Sequence, residues 1–295
     1  MKIHIKNGRL IDPKNNVDAK QDVFIAAGKV AAIGVQPDNF NANRIIDAQG
    51  LIVCPGLIDL SARLREPGLE YKATLESELH AAVAGGVTSL ACPPDTDPPL
   101  DEPGLVEMLK HRAKGLNLAH VYPVGALTQG LNGLLLTEML QLRNAGCIAF
   151  GQTNTLPTSL KVLMQAMRYA ATFGISVWLY PQELSLFNDG VAHDGEVATR
   201  LGLPPIPACA ETIAVSNIIL LVKVTGVRIH LCRLSCAESV EMVRTAKKEE
   251  LPISCDVSIN QLHLSEMDIG FFDSHCHLIP PLRSSADRES LRMGL

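Results

Sequence analysis

The chain is poor in the features that mark several large classes of protein. No run of about 18 residues is apolar and uncharged, as a bilayer-spanning helix requires, and the apolar stretch 218–222 stops at Lys223. No basic stripe with interleaved aromatics occurs, and the formal net charge is −5, which argues against nucleic-acid binding. The segment Met1-Lys2-Ile3-His4-Ile5 alternates like a strand and has no apolar leader core, so a cytoplasmic protein without a signal peptide is expected. No glycine-rich phosphate loop is present, since Ala84-Gly85-Gly86 reads as a short turn. Cysteine is not scarce, at eight residues, but no disulfide framework is expected. Cys54, Cys92, Cys147 and Cys255 sit in apolar segments and read as buried free thiols. Cys232-x3-Cys236 has no second pair at zinc-finger spacing.

What remains is an ordinary globular balance, 47% hydrophobic and 19% charged, over 295 residues. That length suits one large domain with a small appendage. Residues 1–53 read as short strands joined by turns, with Asn7-Gly8 a turn signal and Ala27-Gly28-Lys29 the tip of a hairpin. From 54 to 295 the pattern changes to strand–helix alternation. Strands are expected at 57–60, 87–92, 119–124, 147–150, 176–180, 228–231 and 253–255. Helices are expected at 72–84, 104–114, 134–144, 158–173, 210–224, 237–249 and 287–293. Val240, Val243 and Ala246 mark the inner side of the helix at 237–249. Such β/α units imply a parallel (β/α)8 barrel, of which only seven strands can be counted. An irregular stretch, 260–281, follows the seventh strand. The expectation is a barrel lacking its last β/α unit, or a truncated form of a longer protein, with edge strands that need cover.

The most informative stretch is Pro55-Gly56-Leu57-Ile58-Asp59-Leu60-Ser61-Ala62-Arg63-Leu64-Arg65-Glu66-Pro67-Gly68. With Gly85-Gly86-Val87-Thr88, Pro93-Pro94-Asp95-Thr96, Glu211-Thr212-Ile213-Ala214-Val215, Ile229-His230-Leu231-Cys232 and Pro280-Pro281-Leu282-Arg283 in order behind it, the chain resembles the dihydroorotases of the amidohydrolase superfamily. The resemblance implies a small β-module, a barrel, and one or two zinc ions that activate water and polarise a cyclic amide. It also implies where the ligands should stand. The first-strand His-x-His falls on Ser61 and Arg63, the fourth-strand anion on Gln152, and the later histidines on Tyr180 and Arg233. The family's final aspartate lies beyond Leu295. Serine, glutamine and tyrosine are poor zinc ligands, and a guanidinium stays protonated and repels a dication. No zinc is therefore expected at these positions.

On the substrate side, Arg65 and Asp95 fall on the family's carboxylate-binding arginine and asparagine. A carboxylate at 95 would repel the substrate's own, so both residues are read as vestigial. Arg65 is then expected to pair with Glu66 or Glu70. Arg63 and Arg233 are expected to reach solvent from a water-filled pocket; the alternative is that they pair with acids or a bound anion. Tyr180 is read as a packing residue. His275-Cys276-His277 is the one remaining His-x-His, and in an extended segment its imidazoles would face one way, with His263 a weak third ligand. His230 and Cys232 are expected to face the helices, away from Arg233. No base stands beside Ser61 for nucleophilic chemistry.

The resemblance thus points to a catalytically inactive dihydroorotase-like protein. Such proteins partner aspartate transcarbamoylase catalytic chains, scaffolding or stabilising them in pyrimidine biosynthesis, as part of a homo- or hetero-oligomer. The alternative is an active zinc amidohydrolase with atypical ligands or a site completed by another subunit. A truncated, non-functional copy is the third reading.

Overall fold

A computed structural model describes residues 1–157, 159–187 and 189–295. The chain divides into two compact units, Met1–Leu57 and Ile58–Leu295. The passage between them falls inside a strand, four residues beyond the boundary read from sequence.

The first unit holds β1 (Lys2–Lys6), β2 (Arg9–Asp12), β3 (Val17–Lys20), β4 (Val23–Ala26), β5 (Lys29–Ile33), β6 (Arg44–Asp47) and β7 (Ile52–Val53). They form a four-stranded sheet, β5-β4-β1-β6, and a three-stranded sheet, β3-β2-β7. The expected hairpin is β4–β5, with Ala27 and Gly28 both at positive φ in the turn. Phe24 is buried, stacks on His4 and meets the edge of Phe40.

The second unit is built on seven strands: β8 (Leu57–Asp59), β9 (Val87–Cys92), β10 (His120–Ala126), β11 (Ala149–Gly151), β12 (Ser176–Leu179), and, after a short pair β13 (Ala192–His193) and β14 (Pro205–Ile206), β15 (Arg228–Leu231) and β16 (Ile253–Cys255). Their order is β16-β15-β12-β11-β10-β9-β8. All five ladders from β9 to β16 are parallel. Among the described residues β8 and β16 do not pair, so the curled sheet is open between them.

Helices alternate with these strands: α1 (Leu75–Ala84), α2 (Pro103–Leu116), α3 (Met139–Ala145), α4 (Leu160–Thr172), α5 (Leu184–Phe187), α6 (Glu196–Leu201), α7 (Cys209–Thr225), α8 (Ala237–Lys248), α9 (Ile259–His263) and α10 (Ser285–Gly294). Thr158, where the fourth helix was expected to begin, lies outside the described residues. Local chemistry sets several helix starts. Thr74 and Ser77 form a capping box at α1, Ser284 and Asp287 another at α10, and Pro103 opens α2. No helix among the described residues is long and apolar enough to cross a membrane.

Strand parity sorts the side chains. Leu90, Cys92, Phe150, Val177, Leu179, Ile229 and Leu231 join helix residues such as Leu109, Leu163, Met167, Val215 and Val243 in the main core. Ala91, Val124 and Ala149 cluster with Trp178 on the opposite face, the inner side of the sheet. Each core leucine or valine contributes roughly 1.5–3 kcal/mol by leaving water. Two cysteine expectations are revised: Cys54 is exposed and Cys255 only half-buried, whereas Cys92 and Cys147 are buried, and all eight cysteines are free thiols.

Candidate functional site

The site sits where β8, β9, β11, β12 and β15 end, the face on which β/α barrels carry their chemistry. After β8 the chain runs on beside β9, and Ala62 N–H donates to Ala91 O. The loop Arg65-Glu66-Pro67-Gly68 then turns away. Arg65 takes a positive φ of 63°, and Glu66 is 3% exposed. One Glu66 carboxylate oxygen accepts from Leu75 N–H at 2.9 Å, at the N-terminus of α1, and the other pairs with Arg112. A Cβ on Gly68, at φ +88°, would meet Asp97 O at 1.9 Å. The motif that carried the resemblance is therefore tied into the fold whatever the chemistry nearby.

The two arginines at expected ligand positions come together. Arg63 Nε donates to Asp95 Oδ2 at 2.6 Å, and both side chains are about one quarter exposed. Arg63 Nη2 donates to Asn154 Oδ1 at 3.0 Å, and Arg233 Nη2 donates to the same oxygen at 2.7 Å. Arg233 Nη1 also donates to Ile279 O at 3.1 Å, and its guanidinium lies over the Tyr180 ring, 4.5 Å from the centroid. The arginines thus turn onto the protein rather than out to solvent. The space left between Ser61, Arg63, Gly151, Thr153, Cys232 and Arg233 is about 40 Å³, not a water-filled pocket. Burial, together with the neighbouring Arg63 charge, draws the Arg233 pKa down from its ordinary value. Burial raises that of the Tyr180 phenol, so it stays protonated; its hydroxyl has no partner among the described residues.

Other expectations change. Gln152 shares the parity of Phe150, so it points away from the site: its amide nitrogen donates to Leu131 O at 2.9 Å and Thr128 Oγ1 at 2.8 Å. Gly151 and Thr153 face the site instead. Arg65 has no carboxylate partner among the described residues, because Glu66 is held by Arg112 and Glu70 accepts from Gly68 N–H. His275, Cys276 and His277 are not extended. They close a 3₁₀ turn, His275 pairs with Asp273 at 2.9 Å while nine-tenths exposed, and no metal-ligand cluster forms there among the described residues.

His230 and Cys232 do not face the helices. His230 pairs in register with Trp178 and Ser254 on the inner face, and its ring lies 5.1 Å from that of Trp178. Arg233 follows the strand end at a positive φ of 57°, so strand parity does not extend to it. His230 Nδ1 contacts Ser254 Oγ and Nε2 contacts Asp256 Oδ2, each at 2.9 Å. His230, Cys232 and Asp256 offer ligand atoms within 4.8 Å of one another. Burial pushes the Cys232 thiol up to about 12, so it carries its proton.

Two functional residues were not found from sequence. Asn154 gave no signal beyond its place in a polar run. Asp256 did give one, since it directly follows a strand at the end where barrel chemistry sits.

Beside this site lies a buried polar network. Arg283, 1% exposed, donates to Ser235 Oγ at 3.1 Å and Ile206 O at 2.8 Å and lies 3.1 Å from His193 Nδ1. Glu211, equally buried, accepts from Ser235 N–H and Cys236 N–H.

The zinc that the resemblance implies for active relatives can be tested against these donors. Ser61, Arg63, Tyr180 and Arg233 supply two guanidiniums, a buried protonated phenol and one hydroxyl, and Gln152 has turned away. They do not fit a dication.

The curled parallel sheet and its helices have the fold of solved hydantoinases. The chain superposes on L-hydantoinase from Arthrobacter aurescens with a TM-score of 0.84 at 22% identity, over 98% of this chain and 65% of that one. A D-hydantoinase gives a TM-score of 0.76 at 21% identity, over 99% and 65% of the two chains. The Dihydro-orotase-like family model matches residues 50–239, and the chain belongs to that family. It is 46% identical over 294 residues to a dihydroorotase-like protein of Pseudomonas aeruginosa, covering 99% of this chain and 69% of that protein. A dihydroorotase-like protein of Pseudomonas putida is 43% identical (100% and 70% covered), and a dihydroorotase of Syntrophotalea carbinolica 39% (100% and 69%). The chain thus spans about 70% of the length of these curated relatives and 65% of the hydantoinases.

Proposed function

We propose that this chain is a non-catalytic dihydroorotase-like protein that acts as a structural partner of aspartate transcarbamoylase catalytic chains in pyrimidine biosynthesis. One observation carries the inactivity. Two guanidiniums, bridged by Asn154 Oδ1, stand where metal-binding histidines are expected. The remaining space, about 40 Å³, is far below the roughly 300 Å³ of a small-molecule site. The partner role rests on the family resemblance alone. Two of the relatives are named dihydroorotase-like protein rather than dihydroorotase, which accords with it.

A second reading, an amidohydrolase with atypical ligands, draws on His230, Cys232 and Asp256. It requires loss of a buried thiol proton beside Arg233 and rupture of the His230–Asp256 contact, so it is the weaker. Size-exclusion chromatography with the transferase, run alongside a dihydroorotate turnover assay, separates the two. Co-elution without turnover supports the scaffold; turnover without co-elution supports the enzyme.

A further inference from the structure

We propose that the small space at the strand ends is an oxyanion site, taking one carboxylate or phosphate group between Arg63 and Arg233. Its two guanidiniums are unequally paired: Arg63 has Asp95 against it, while Asp256 meets Arg233 only at the backbone N–H. Arg233 is half-buried and has no carboxylate within ion-pair distance among the described residues. Its guanidinium is held by two neutral oxygens, Asn154 Oδ1 and Ile279 O, and its buried Nε has no partner among the described residues. A buried charge without a counter-ion is costly, and arginine matches planar and tetrahedral oxyanions by paired N–H donation.

The nearby acids are already engaged. Asp95 is taken by Arg63. Asp256 contacts His230 through one oxygen and accepts from Arg233 N–H through the other. Ser61 lines the space and its hydroxyl has no hydrogen-bond partner among the described residues, so it can add a donor. The size also selects. About 40 Å³ is some three water-sized positions at roughly 10–15 Å³ each, enough for an oxyanion group and too little for a cyclic amide. A cation is disfavoured by the same two arginines.

The site stands or falls independently of any transferase partner. Titration calorimetry of the full chain at low ionic strength, with inorganic phosphate and separately with acetate, tests it. Saturable binding of at least one anion is expected, weakened at least tenfold in Arg233→Gln and in Arg63→Gln. The anion that binds identifies the group. A second measurement avoids variants that fail to fold: phenylglyoxal modification of the unaltered chain, mapped by mass spectrometry. The bound anion should protect Arg63 and Arg233 but not the exposed Arg292. Absence of saturable binding by both anions, or protection of neither arginine, overturns the proposal.

Discussion

At the scale of single residues, Asn154 is the hinge of the account. Its carbonyl oxygen accepts from two guanidiniums. Asn154→Leu would remove the acceptor that the two share and should cost about 1–3 kcal/mol. Asn154→Asp would place a carboxylate between two cations and should hold or raise stability. Urea midpoints at unchanged m-value report both. His193 gives a pH signature. Burial, with Arg283 beside it, lowers its pKa below the usual imidazole value. The unfolded chain then binds the proton more readily than the folded one. Stability from this residue is full above the unfolded value near 6.5 and falls as pH drops below it. The melting temperature should decline between about pH 7.5 and 5.5, and His193→Gln should flatten that decline. The residue types excluding zinc were legible in the sequence. Their directions were not: Gln152 turns away because its neighbour Phe150 faces the core, and Arg233 turns in at a left-handed residue that strand parity does not foresee.

At the scale of elements, strands came through most faithfully. The runs at 87–92, 228–231 and 253–255 coincide with β9, β15 and β16, because β-branched and apolar residues bounded by turns leave little alternative. The segment 184–206 was not legible: α5, α6 and the two-residue strands β13 and β14 are too short to impose a period. Glycines separate by their surroundings. Gly68→Ala drives a Cβ into Asp97 O at a left-handed φ and should destabilise on the order of 3 kcal/mol. Gly104→Ala, in the first turn of α2, meets open space and should stabilise by about 0.5–1 kcal/mol. Thermal denaturation of the two variants side by side checks the contrast. The open edge is the other feature of this scale. On and just after β8, Leu57, Ile58 and Leu60 are exposed. An uncovered apolar edge invites strand pairing between chains. Ile58→Lys should therefore lower the self-association seen by light scattering of this chain at raised concentration.

At the scale of the whole molecule, the second unit joins a parallel β/α framework to a centre that holds two arginines. The Arg65–Gly68 loop is fixed by the Glu66 cap on α1 and by the close approach of Gly68 to Asp97, and the inner face of the sheet carries an apolar layer with Trp178. At Arg63 and Arg233, two positions where the resemblance implied metal ligands, an arginine–asparagine–aspartate bridge stands. The parallel β/α order was readable from the alternation of strand and helix signals, and the family from motifs in sequence order. The bridge was not, because it depends on Asn154 reaching two arginines that lie 91 and 79 residues away in the chain. The measurement that tests the central claim most directly is the zinc content of the purified chain after equilibration with zinc, read with dihydroorotate turnover on the same sample. Zinc well below one ion per chain and no turnover are the expected result. One or more tightly held ions per chain together with turnover would contradict it.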